Sequence, residues 1–93
     1  MGKTDKRLQT VVDRFIAEMS DRYPGLDQSF DFQDRGGYKA WVFMKVPEEL
    51  MPKYWEIEDA AFDLFERLYE ETGLNILGHV VATRPDLIPA RGK

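Results

Sequence analysis

Three features of this sequence have the residue types for chemistry: one carboxylate inside an apolar helical arc, one histidine, and two aromatics between lysines. At 100° per residue, Glu58 falls between Phe65 and Tyr69 on its helix. A carboxyl in apolar surroundings has a raised pKa and suits acid chemistry. Acid–base catalysis needs a second positioned group, and the sequence shows none beside Glu58. The expectation is a side chain that reaches the edge of the arc or pairs with a Lys or Arg.

His79, the single histidine, sits in a strand pattern without the His, Cys or closely spaced carboxylates that would complete a metal site. It reads as a hydrogen-bonded strand residue. The stretch 31–36 fails the calcium-loop pattern, because Arg35 stands where an oxygen ligand is needed. Gly2-Lys3-Thr4 matches only the end of a phosphate loop, without its earlier glycine or preceding strand. Ser20 and Ser29 lie in no nucleophile-elbow context. With no cysteine there is neither a thiolate nucleophile nor a disulfide framework. The sequence therefore predicts a non-enzymatic chain with no metal and no cofactor.

Trp41 and Phe43, two apart in a strand and flanked by Lys39 and Lys45, are the third feature. Sheet-surface RNA binders stack bases on aromatics spaced this way. The charge opposes that use: 17 Asp and Glu against 13 Lys and Arg leave a net charge of -4. Phosphate-backbone affinity depends on cations displacing counterions, and the Lys/Arg-Gly-Phe/Tyr-Gly type of consensus is absent. Single-stranded nucleic acid is thus an alternative to the main expectation, a protein interface. A ligand-binding or enzymatic domain with Glu58 in an apolar pocket is another.

Residues 1–7 are polar, with no apolar core of a signal peptide, and no apolar run reaches membrane-span length. Met1-Gly2 does not make a myristoylation site, because Lys6 stands where Ser or Thr is required. A small chain without cysteine fits a reducing, cytoplasmic setting.

The elements that must position these residues follow from periodicity. Between residues 4 and 23, Leu8, Val11, Val12, Phe15, Ile16 and Met19 form one helical stripe. Thr4 or Asp5 is placed to cap its start, and Pro24-Gly25 ends it. Arg14, Glu18 and Arg22 stand four apart on its polar side. Burying such side chains yields roughly 1.5 to 3 kcal/mol each. Ordering the backbone costs about 1 to 2 kcal/mol per residue. The helix must dock on something else.

Leu26, Phe30 and Phe32 alternate with polar residues over 26–33, as in a half-buried strand. Residues 34–37 supply turn chemistry and 38–46 resume an extended pattern, completing a β-hairpin. The second strand is apolar on both faces: Tyr38, Ala40, Val42, Met44 and Val46 on one, Trp41 and Phe43 on the other. Pro47 and Pro52 bracket a short connection at 48–51, and 53–72 read as a second helix stopped by Gly73. Beside its main stripe runs a row at seven-residue spacing, Trp55, Phe62 and Tyr69. The simplest use of that row is packing against the first helix. Residues 74–83 form the last strand, with Leu77 and Val81 opposite Ile76 and Val80, a pattern of burial on both sides. An irregular tail follows from residue 84.

One α+β domain spans 1–93, since a chain of this length holds one core. A right-handed crossover from the second strand gives a two-layer sandwich of order α-β-β-α-β, with a three-stranded mixed sheet ordered 1-2-3 and both helices on one face. That order resembles KH domains of the second type and the cytoplasmic domain of cation-diffusion transporters. The first has a Gly-x-x-Gly loop joining helices and the second has histidine ligands; this chain has neither.

The other sheet face then stays open. It displays Trp41, Phe43, Leu77, His79 and Val81, with Lys39, Lys45, Asp27 and Asp31 at the rim. A large apolar cluster facing water marks an interface. The expected function is protein interaction or homodimerisation through this face, with Trp41 and Phe43 as anchors. Trp55, Phe62 and Tyr69 are secondary candidates. The opposing possibility is that the tail, or a helix placed differently, covers Trp41 and Phe43 within the same chain.

Overall fold

The computed structural model describes residues 6–32 and 39–91. Its order is helix α1 (Lys6–Arg22), strands β1 (Asp27–Asp31) and β2 (Ala40–Val46), helix α2 (Tyr54–Thr72) and strand β3 (Ile76–Ala82). Short 3-10 helices occupy Glu48–Lys53 and Pro85–Leu87. The cap positions Thr4 and Asp5 and the turn at 34–37 lie outside the described residues.

The α1 stripe behaves as its spacing requires: Leu8, Val11, Val12, Phe15 and Met19 are buried. The charged residues Arg14 and Glu18 of its polar side work across the helix pair. Arg14 pairs with Glu71 at 3.2 Å and Glu18 with Arg67 at 3.2 Å. Near the other end, the Tyr23 hydroxyl donates to Glu56 at 2.8 Å. Rising residue numbers on α1 meet falling ones on α2, so the helices run antiparallel.

β2 is the central strand, antiparallel to β1 and parallel to β3. Ala40, Val42, Met44 and Val46 are fully buried beneath the helices. Gly78 of β3 lies on the same side, where a Cβ would stand 2.9 Å from the Phe15 ring and 3.1 Å from Met44 Cε. Only a glycine lets the ring settle that close to the strand.

α2 ends as its sequence dictates: Gly73 takes φ 74° and its N–H donates to the Tyr69 carbonyl at 2.7 Å. The connection before α2 is longer than the 48–51 segment read from the prolines. Pro52 sits inside the 3-10 helix, where the short i to i+3 pattern accommodates it.

Two expectations about the strands need correction. Phe30 is 42% exposed, because β1 is an edge strand and Gln28 takes the place against α1, donating to the Ile16 carbonyl and the Ser20 hydroxyl. β3 is not buried on both sides: Ile76 is buried, whereas Val81 on the opposite parity is 36% exposed.

Candidate functional site

The strand register sorts the open sheet face into three rows. Asp31, Trp41 and Leu77 form the first, Ser29, Phe43 and His79 the second, and Asp27, Lys45 and Val81 the third. Paired residues share a face, so the side chains grouped by sequence reasoning do lie together. Trp41 and Phe43 stack with centroids 6.5 Å apart, and His79 meets Phe43 edge-on at 6.0 Å. Phe43 is 36% exposed in the middle of the central strand; Trp41 and Leu77 are half-buried, and His79, Lys39 and Lys45 are exposed.

The described part of the tail does not lie on this face. Thr83 is anchored to the Val46 carbonyl, and the chain then turns back over the start of α2. There the Trp55 indole N–H donates to the Pro89 carbonyl at 2.7 Å. Arg91 stacks over the Trp55 ring at 4.7 Å and pairs with Asp59 at 3.1 Å. The seven-residue row is therefore divided. Trp55 is covered by the tail and not by α1, while Phe62 and Tyr69 remain 59% and 50% exposed.

Glu58 lies where the second helix meets the sheet. It lines a cavity of about 320 Å³ with Asp59 and Phe62 of α2 and with Gly78, His79 and Val80 of β3. Three consecutive strand residues, whose side chains point to opposite faces, line this space, so it abuts the outer edge of β3. Tyr54 is also close to Glu58. Burial first, and then the charge and hydrogen bond of Glu58, push the Tyr54 hydroxyl above its ordinary pKa. Among the described residues, no group of three or more His, Cys, Asp or Glu is placed to hold a metal ion. No described helix is long and apolar enough to cross a membrane.

The signal that sequence reasoning missed is the tail clamp. Its acceptor is a backbone carbonyl, which has no residue signature. The i, i+4 spacing of Trp55 and Asp59 was visible, but nothing local marked Arg91 as their partner.

Comparison with known proteins finds no family model, curated protein or solved structure that matches the chain. Fold and surface together define a small α+β domain with an apolar face on the uncovered side of its sheet.

Proposed function

We propose that the protein is an interaction module that associates with a second copy of itself through the open sheet face. The observation that carries this reading is the Phe43 ring, 36% exposed on the central strand and surrounded by Trp41, Leu77, His79 and Val81. Charge selects the partner. Asp27 and Asp31 on the edge strand β1 balance Lys39 and Lys45 toward the two ends of the central strand, so two copies meet without net repulsion. The absence of cysteine supports a reducing, cytoplasmic setting for this association.

Size sets the strength. Three strands about 4.8 Å apart, two of seven residues and one of five at roughly 3.3 Å each, cover at most some 14 by 23 Å in projection. Stable interfaces bury about 800 Å² on each partner. The face alone supports a weak, rapidly exchanging dimer.

Sedimentation velocity over a concentration series tests this. The wild-type chain should shift from monomer toward dimer, and Phe43→Ser should abolish the shift while leaving the far-UV circular dichroism spectrum unchanged. A wild-type chain that stays monomeric up to about 1 mM, where association is worth less than about 4 kcal/mol, refutes the reading.

A further inference from the structure

The outer edge of β3 and the exposed side of α2 form a groove that the sheet-face reading does not use. We infer that this groove binds an arginine-bearing extended segment of a partner protein, added as a further strand beside β3. Edge strands present unpaired N–H and C=O groups, and proteins blunt them with short length, Lys, Pro or inward charges. β1 is blunted: five residues long, it carries Asp at both ends. β3 is not. Its seven residues, ILGHVVA, contain no proline, lysine or carboxylate, and among the described strands only β2 pairs with it.

The helix side of the groove supplies the specificity, and the chain itself displays the mode. Arg91 occupies a unit made of an aromatic at one position and a carboxylate four later, Trp55 and Asp59, with its guanidinium 4.7 Å over the ring and 3.1 Å from the carboxylate. The same unit recurs one heptad on as Phe62 and Glu66, followed by Tyr69 and Glu70. Phe62 and Tyr69 are 59% and 50% exposed. Among the described residues, Glu66 and Glu70 are in no ion pair. Beyond the cavity at Glu58 and Phe62, a second of about 290 Å³ continues past Glu66, Tyr69 and Glu70.

The spacing suits an extended ligand. Phe62 and Tyr69 are seven residues apart, about 10.5 Å along the helix axis. Same-side residues of a strand recur about every 6.7 Å, roughly 4 Å short of that separation, and the long arginine side chains splay to make up the difference, so arginines two apart reach both aromatics. Each guanidinium lies over a ring with its charge toward a carboxylate, the arrangement favoured for partly desolvated arginine. Charge also decides against a second copy here. α2 carries seven carboxylates against one arginine, and pairing two β3 edges would bring two such helices together. The two readings share His79, but this inference depends on Phe62, Glu66 and Tyr69 of α2 and on the backbone edge of β3, which the sheet-face dimer does not use, so it stands or falls separately.

The test is an NMR titration of the whole chain with a short peptide of alternating arginine and valine. Three peptides are compared: the parent, a version N-methylated at alternate amides, and a version with glutamate in place of arginine. The parent should give saturable shifts at Gly78, His79 and Val80 and at the Phe62 and Tyr69 rings, with slowed amide exchange in β3. The N-methylated and glutamate peptides should not bind. Glu66→Lys should weaken the parent peptide about tenfold, equivalent to about 1.4 kcal/mol. Equal binding of the N-methylated peptide overturns strand addition, as do shifts confined to the open sheet face. β3 amides that become protected with protein concentration alone would assign the edge to a second copy. If Glu66→Lys fails to fold, the N-methylated peptide still decides.

Discussion

Tyr23 couples the end of α1 to the start of α2 through a hydroxyl that is buried and donates to Glu56 at 2.8 Å. Burial, followed by the hydrogen bond and charge of Glu56, pushes this hydroxyl from 10.0 up to about 12. The folded state therefore holds the neutral form more tightly than the unfolded state does. Stability from this group is fully present below pH 10, and it is lost as the pH rises from 10 through about 12. A shift of this size is worth on the order of 2 kcal/mol. Tyr54 shifts in the same direction, so it adds to the alkaline loss. Tyr23→Phe should cost about 1 kcal/mol at neutral pH, the worth of a partly buried hydrogen bond. It should also flatten the fall in melting temperature above pH 10. A variant whose alkaline profile overlays that of the wild type would assign the loss to other groups.

Between elements, α1 and β3 meet closely where the Phe15 ring lies against Gly78. Phe15 is fully buried and has nowhere to retreat, so a Cβ 2.9 Å from its Cζ forces the helix or the strand to shift. Alanine relieves the entropic cost of glycine by about 0.5 to 1 kcal/mol, whereas overpacking costs about 1 to 3 kcal/mol. Gly78→Ala should thus lower stability by about 1 kcal/mol, and Gly78→Val by more, in urea unfolding. Pairing Gly78→Ala with Phe15→Leu should recover part of the alanine loss; failure to recover it would place the clash elsewhere. This contact also shows how far the elements were legible in the sequence. The α1 stripe, the inward parity of β2 and the Gly73 stop were readable, because each follows from a repeat or a backbone requirement within one segment. Gly78 carried no signal of its role within its own segment, since its partner Phe15 is over sixty positions away. Phe30 was misplaced for a related reason: alternation shows which residues share a face, but not whether a helix reaches far enough to cover the edge of that face. Trp55, Phe62 and Tyr69 were legible as a row. Their division into one covered and two open rings depends on where the tail lands.

Over the whole molecule, the two apolar surfaces differ in charge, and the difference separates them experimentally. The open sheet face balances two aspartates, Asp27 and Asp31, against two lysines, Lys39 and Lys45. Association there depends on burying Phe43, Leu77 and Val81, and burial of apolar area is not weakened by screening. The groove beside β3 is lined by Glu58, Glu66 and Glu70, with Asp59 already paired to Arg91, so its ligand is held in part by long-range attraction between unlike charges. Raising ionic strength from 0.1 M to 1 M shortens the screening length from about 10 Å to about 3 Å. The sedimenting dimer should therefore persist or strengthen in high salt. Binding of the arginine peptide should fall by about an order of magnitude or more, as exposed charge pairs do when screened. Phe43→Ser, measured in the same buffers, should remove the salt-insensitive process and leave the salt-sensitive one intact. Loss of both in that variant would mean that the two surfaces act as one. The peptide would then depend on the dimer, with β3, whose Leu77, His79 and Val81 lie on the open sheet face while its edge borders the groove, as the element shared between them.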